Sequence, residues 1–340
     1  MPDRKDVYEI SLITPMYNEA ARIERNVQMI LQALEELRVG WEYILVDDGS
    51  TDDSYAKAER ILKGRSNCRI IHYGVNRGRG YALRRGFASA RGRYVITTES
   101  DLSWGADIIG RLYRALVETG ADVVSASTYL PGGGMENVPF LRRALSVWGN
   151  RFMRRCFGNR LTMLSGMTRG YRRHVVRCLH LESTGKEIHL EIIAKAQALG
   201  SRITEIPAVI RWEPDRAGHR RGHRSVARFI VPHILSAVIR GASRAFLTLS
   251  LTLFVLGALL AGFGVVNKIL VLTPDKLRMP NVITYGLVLI VIGALCALFA
   301  ALSLQVSALH QGIVHIQAQL KTLQQRSVAD RGDEDEQEPA

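Results

Sequence analysis

Two acids one residue apart, Glu99 and Asp101, follow the β-rich run Tyr94 to Thr98. The run reads as a buried strand, which puts both carboxylates at its carboxyl end, where open α/β sheets hold their ligands. Hard oxygen donors in that position suit Mg²⁺ or Mn²⁺ bridging a diphosphate. The competing reading is a strand ending in a polar turn, with Asp101 capping the next helix. A second pair, Asp47 and Asp48, closes the apolar run that starts at Tyr43. Between the two pairs lies Asn76-Arg-Gly-Arg-Gly80. Its glycines let backbone approach a ligand, while Arg77, Arg79 and the following helix N-terminus favour a phosphate. A plain loop-to-helix junction accounts for the same residues. The stretch lacks the Gly-Lys-Ser/Thr ending of a P-loop, and it does not follow the first strand as a dinucleotide fingerprint would.

Positioning these groups requires an alternation of strands and helices. Tyr8 to Thr14 reads as the first strand and Pro15-Met-Tyr-Asn-Glu19 as its turn. A helix from about Ala20 to Leu37 follows, with Ile23, Val27, Ile30, Leu31 and Leu34 at helical spacing. Tyr43 to Asp48 is the second strand, and Gly49-Ser-Thr-Asp52 turns into another helix. Arg69 to Tyr73 is a third strand. Acids gathered at strand ends in this order predict a parallel sheet of the nucleotide-binding kind.

Charge narrows the partners. The 340 residues carry 45 Lys+Arg against 32 Asp+Glu, a formal +13. The excess is clustered: Arg142 to Arg177 holds ten arginines and no acid, and Arg211 to Arg244 holds eight against Glu213 and Asp215. Such patches suit anionic headgroups or phosphorylated substrates. Nucleic acid is disfavoured, because no helix-turn-helix, zinc finger or aromatic RNA-binding signature accompanies the charge. His219 and His223 stand four apart among arginines, a setting better suited to phosphate than to a metal. Cys68, Cys156, Cys178 and Cys296 are too scattered for a disulfide framework or a zinc site. The charged first residues predict no signal peptide.

Two stretches are long enough to cross a bilayer. Ala245 to Val266 and Val282 to Leu302 contain no charged residue and are 22 and 21 residues long. The short link 267–281 makes them an antiparallel hairpin, so the Arg-rich flank predicts that residues 1–244 and the C-terminus are cytoplasmic. Residues 226–244, with Phe229, Ile230, Ile234, Leu235 and Ile239 opposite Arg228, Arg240 and Arg244, read as an amphipathic interfacial helix. After the second span (282–303), Leu302, Val306, Leu309, Ile313, Ile316, Leu320 and Leu323 recur at heptad spacing. This predicts a coiled-coil helix over 304–326 and a homo-oligomer, or else a helix lying back on the rest of the chain. The six acids within 327–340 predict a disordered tail.

Taken together, Pro15-Met-Tyr-Asn-Glu19, Val46-Asp-Asp-Gly-Ser-Thr-Asp52, Asn76-Arg-Gly-Arg-Gly80 and Glu99-Ser-Asp101 resemble the family-2 inverting glycosyltransferases. Within them the chain is most similar to the polyprenyl-phosphate hexose synthases, of the dolichyl-phosphate mannose synthase kind. Ser127-Thr-Tyr-Leu-Pro-Gly-Gly-Gly-Met-Glu-Asn137, Arg169-Gly-Tyr-Arg-Arg173 and Glu187 to Pro207 extend that likeness. The resemblance implies a Rossmann-like nucleotide-sugar fold (GT-A) over residues 1–225, with Mg²⁺ or Mn²⁺ on Glu99 and Asp101. It implies that Pro15, Tyr17, Glu19, Asp47, Asp48, Gly78 and Arg79 bind the nucleotide sugar. Asp101, Arg142 and Arg216 would act in catalysis, and Arg142 and Arg169 would hold the acceptor phosphate. The chain departs from the family pattern at Glu99 (usually Asp), at Thr128 (commonly an acceptor-binding Arg) and at Thr162 (usually Asp).

The implied activity is transfer of a hexose, mannose or glucose, from a nucleotide diphosphate sugar to a polyprenyl phosphate, with inversion. A polyprenyl monophosphate is already an anionic nucleophile and needs cations more than a general base. The alternatives are transfer to a lipid or glycan hydroxyl, which needs a base, and a membrane scaffold that binds nucleotide sugar without turnover.

Overall fold

The computed structural model describes residues 8–157, 161–212, 243–270 and 282–335. Arg216, His219, His223 and the interfacial helix expected before Ser243 lie outside the described residues. The chain falls into an α/β unit and a second unit that includes its apolar helices as far as His310.

The α/β unit is built on a seven-stranded sheet. In chain order its strands are β1 (Ile10–Met16), β2 (Trp41–Asp47), β3 (Cys68–His72), β4 (Tyr94–Thr97), β5 (Val123–Ser127), β7 (Arg169–Arg172) and β8 (Ile203–Pro207). A separate parallel pair joins β6 (Gly134–Glu136) to β9 (Val209–Arg211). The spatial order is β3-β2-β1-β4-β7-β5-β8. Strands β1 to β4 are mutually parallel as expected, whereas β7 is antiparallel to both neighbours, β4 and β5. The first strand also runs further than its pattern predicts, so Pro15 is part of β1. Proline is tolerated there because β4 pairs only with Ile10 to Ile13, leaving that edge open at Pro15.

Alternation along the strands fills two layers. On one face Leu12, Tyr43, Leu45 and Ile96 pack with the apolar stripes of α1 (Ile23–Glu35) and α4 (Ile108–Thr119). On the other, Ile13, Ile44, Val46 and Val95 meet α3 (Arg79–Ser89) and α7 (Ile188–Ala198). This unit also holds α2 (Ser54–Leu62), α6 (Arg173–Cys178) and α5 (Phe140–Phe157) as far as Arg151. Burial on both faces explains why these strands read as continuous apolar runs rather than alternating ones.

Helices α8 (Ser243–Leu270) and α9 (Val282–Asp335) include segments long and apolar enough to cross a membrane, Phe246–Val266 and Val282–Val306. Small residues set their contact. A Cβ placed on Gly286 would lie 2.6 Å from the Ala261 amide nitrogen and 2.7 Å from the Gly257 carbonyl oxygen, so the two backbones nearly touch. This is the close packing that small residues permit between apolar helices. Gly286→Val is expected to push the pair apart and cost about 1–3 kcal/mol. Thermal unfolding in detergent, compared with the neutral control Leu287→Val, measures it. The second helix does not end where the apolar span ends. It continues through the heptad stretch to Asp335, so 327–335 is helical where disorder was expected.

Candidate functional site

Because β1 to β4 are parallel, their carboxyl ends lie along one edge of the sheet, and the loops there carry most of the predicted residues. The loop after β1 is stitched to the loop after β2. The Asn18 amide donates to Ser50 Oγ at 3.0 Å, the Glu19 amide to Ser54 Oγ at 2.7 Å and the Ala20 amide to Asp52 at 3.1 Å. Asn18 adopts φ +53°, the left-handed region that asparagine tolerates, and this turns the loop. Tyr17 emerges from it exposed, as an aromatic platform at the rim.

Asp47 and Asp48 are both buried, and their oxygens are spent inside the protein. Asp47 accepts from the Ser50 amide, the Ser50 hydroxyl and His72 Nδ1, the last at 2.8 Å. Tyr55 packs on the His72 ring at 4.6 Å between centroids. Asp48 accepts from Tyr73 Oη at 2.7 Å and from the Arg77 and Gly78 amides. Burial and the neighbouring Asp48 both raise the Tyr73 phenol's pKa, so it remains a donor. The pair thus shapes the site instead of presenting carboxylates to a ligand. Ser50, His72 and Tyr73 escaped the sequence reading, although His72 ends β3 at the same sheet edge as the acids.

The glycine-rich segment also corrects an expectation. Its helix N-terminus is already filled, because the Thr184 carbonyl accepts from the Gly80 and Tyr81 amides at 2.7 and 3.2 Å. Gly78, at φ +93°, gives its amide to Asp48. A Cβ on Gly80 would sit 2.5 Å from the Ser183 carbonyl oxygen and 2.7 Å from the Thr184 carbonyl carbon, both backbone atoms. These glycines therefore admit residues 183–185, not a phosphate. That segment is held in turn by Glu191, which accepts from the Glu182 and Ser183 amides at 2.9 Å and from Lys195 at 2.8 Å. Burial works to raise the Glu191 pKa, but these donors outweigh it and hold the carboxyl below its usual range. Gly80→Ala is expected to cost about 1–3 kcal/mol and weaken nucleotide binding, since backbone must move. Thermal unfolding and nucleotide titration of the variant measure both effects.

The acids Glu99 and Asp101 lie in the turn that follows β4. Leu102 adopts φ +49°, an uncommon conformation for a branched side chain, and folds the chain back on itself. This brings the Ser103 amide to Asp101 Oδ1 at 3.0 Å and the Ser103 hydroxyl to Glu99 Oε2 at 2.9 Å. Asn26 of α1 pins the turn by donating to the Ser100 carbonyl at 2.9 Å. Arg79 Nη1 stands 3.2 Å from Glu99 Oε1, a protein cation against one of the acids expected to hold metal. Two carboxylates fit Mg²⁺ or Mn²⁺ if diphosphate oxygens and water complete the shell. Among the described residues no cluster of three or more His, Cys, Asp or Glu forms a self-sufficient metal site.

The basic side of the site is divided. The Arg211 amide donates to the Ser103 carbonyl at 2.7 Å, and the next residue, Trp212, carries the Arg142 guanidinium 3.9 Å above its ring. Arg142 is thereby tied to the acid turn, on the exposed face of α5. Arg169 is not. Its side chain, 0 % exposed, donates to the Leu164 carbonyl at 2.6 Å, the His189 carbonyl at 2.8 Å and Ser125 Oγ at 3.3 Å. Burial lowers the guanidinium's pKa. Enclosed in this way, Arg169 cannot meet an acceptor phosphate; it holds the segment 161–168 in place. Glu205 secures the same segment by accepting from the Thr162 and Met163 amides at 2.6 and 2.8 Å, and Asn150 donates to the Thr162 carbonyl. The Thr162 hydroxyl pairs with Ser127, and Thr128 is buried just past β5.

Acids at parallel strand ends, a sealed glycine turn and a tethered surface arginine thus lie along one edge of a Rossmann-like sheet. Residues 11–179 match the model of glycosyl transferase family 2, and the chain carries a domain of that family. It is 30% identical over 202 residues to a dolichol-phosphate mannosyltransferase of Pyrococcus furiosus, covering 58% of this chain and 55% of that one. To an undecaprenyl-phosphate 4-deoxy-4-formamido-L-arabinose transferase of Salmonella choleraesuis it is 31% identical, covering 61% of each. The chain therefore spans less than two thirds of the length of these two relatives. Among solved structures, glucosyl-3-phosphoglycerate synthase from Mycobacterium tuberculosis, crystallised with Mn²⁺, uridine-diphosphate-glucose and phosphoglyceric acid, superposes with a TM-score of 0.51 at 20% identity. That match covers 68% of this chain and 79% of the other, and it establishes the GT-A-like fold.

Proposed function

We propose that this chain transfers a hexose from a nucleotide diphosphate sugar to a polyprenyl phosphate, with inversion, at a membrane surface. The observation that carries the reading is the carboxylate pair Glu99 and Asp101 at the end of β4, flanked by Arg79 and tied through Arg211 and Trp212 to Arg142. The names of the two relatives support the acceptor class.

In this mechanism Glu99 and Asp101 would hold Mg²⁺ or Mn²⁺, which when bound would supply Lewis-acid neutralisation of the leaving diphosphate. Ser103 fixes the orientation of both carboxylates. Tyr17 and Glu19, on the loop that follows Pro15 of β1, line the nucleotide's entry. Arg142, with Arg216, draws in the acceptor phosphate against charge repulsion. The bound threonine at 162 supplies no base, and a phosphate acceptor, already anionic, requires none.

The apolar lengths of α8 and α9 support membrane residence, and the Arg-rich flank supports a cytoplasmic α/β unit. The exposed Phe140, Leu141, Leu145 and Trp148 of α5, interleaved with Arg142 and Arg143, suit a headgroup layer. The exposed seam of Val306, Leu309, Ile313, Ile316 and Leu320 supports self-association as a coiled coil.

The test offers the detergent-purified full chain Mn²⁺, a short polyprenyl phosphate and, separately, radiolabelled GDP-mannose, UDP-glucose and UDP-N-acetylglucosamine. The expected result is label in an organic-extractable, mild-acid-labile lipid with one donor, and none after EDTA. Label reaching only a hydroxyl acceptor, or donor binding without transfer, rejects the proposal.

A further inference from the structure

Glu99 has both oxygens engaged by protein donors. Arg79 takes Oε1 at 3.2 Å and the Ser103 hydroxyl takes Oε2 at 2.9 Å. The ion pair is neither sealed nor free in solvent, the two side chains being 30 % and 21 % exposed. The backbone on either side of Arg79 is fixed, because the Gly78 amide is held by Asp48 and the Gly80 amide by the Thr184 carbonyl. Only the arginine side chain can swing. Its partner is a glutamate, whose extra methylene over aspartate extends the carboxylate's reach toward α3.

We infer that Arg79 and the divalent cation compete for Glu99, so that Arg79 is an internal counter-ion that yields its place when metal and diphosphate arrive together. The inference rests on the metal reading of Glu99 and Asp101. A guanidinium and a divalent cation on one carboxylate repel each other at a few ångströms, with little water between to screen them. Metal alone must displace Arg79 and leave it unpaired beside a like charge. When metal comes with a diphosphate, the released guanidinium gains an anionic partner that matches its fork of donors. The arginine thus lowers affinity for free metal and raises affinity for the metal–nucleotide pair. By linkage, each ligand strengthens the other by the same factor.

The test is a titration of the detergent-solubilised full chain with Mn²⁺, following free Mn²⁺ by electron paramagnetic resonance, with and without UDP or GDP. Arg79→Gln is expected to bind Mn²⁺ about fivefold more tightly than wild type without nucleotide, the scale of a part-exposed ion pair. The cooperativity between Mn²⁺ and nucleotide is expected to fall about fivefold in this variant, the remainder coming from diphosphate oxygens on the metal. Arg79→Lys restores part of it. In a Glu99→Gln background the Arg79 substitution loses its effect on Mn²⁺ affinity. Unchanged or weaker Mn²⁺ binding by folded Arg79→Gln overturns the inference, as does an undiminished effect in the Glu99→Gln background. The metal reading stands or falls separately: it survives if wild type binds Mn²⁺ and Asp101→Asn does not. If neither wild type nor Arg79→Gln binds Mn²⁺, with or without nucleotide, both are overturned.

Discussion

Arg169→Leu is expected to destabilise the α/β unit by about 3–5 kcal/mol, a large share of an ordinary domain's stability. The side chain is fully buried, and its removal leaves the carbonyls of Leu164 and His189 without their donor. Each buried acceptor left unpaired costs about 1–3 kcal/mol. Leucine is also shorter and leaves a void among β5, β7 and α7. Lysine keeps the charge but not the fork of donors, so Arg169→Lys should recover only part of the loss. Denaturant unfolding of the three proteins measures the effect. A stability change below ~0.5 kcal/mol, with acceptor affinity alone reduced, would instead put Arg169 in contact with a ligand.

Asp101→Asn produces the opposite pattern, a folded protein with sugar transfer reduced about a thousandfold. Asparagine keeps an oxygen for the Ser103 amide, so the turn at Leu102 survives and stability changes by less than ~1 kcal/mol. What disappears is one of two negative charges available to metal at the end of β4. A thousandfold loss corresponds to ~4 kcal/mol of transition-state stabilisation, within reach of a metal that neutralises a leaving diphosphate. Initial rates and Mn²⁺ affinity should fall together, while the melting temperature stays near that of wild type. Transfer retained at a tenth of the wild-type rate or better would exclude a metal carboxylate at this position.

The sheet edge was legible because its signal is local. An apolar run ending in acids says both that a strand is buried and which end meets solvent, and β2 and β4 follow that rule. The role of the glycines was not legible. Gly78 and Gly80 look like a ligand-facing turn until Thr184, about a hundred residues further on, is found seated on them. Arg169 misled for the same reason. An arginine in a polar motif reads as a surface cation, and only the insertion of β7 between β4 and β5 turns it inward. Its strand offered one hint, since Arg169 and Tyr171 share a face at the two-residue period and Tyr171 is a core residue. The helix through 327–335 runs against its acidic composition, which by itself favours solvated chain.

Strand β7 has a consequence for the order in which the molecule is made. Among the described residues it alone joins β3-β2-β1-β4 to β5-β8, and it leaves the ribosome some seventy residues after β4. A nascent chain can therefore assemble the first half-sheet, with Glu99 and Asp101 at its end, while one edge of β4 still lacks a neighbour. Such an edge pairs readily with other chains. The wait between synthesis of Thr97 and of Arg169 is then the interval in which this protein is most exposed to misassembly, and substitutions that slow the docking of β7 should lower yield before they alter the finished fold.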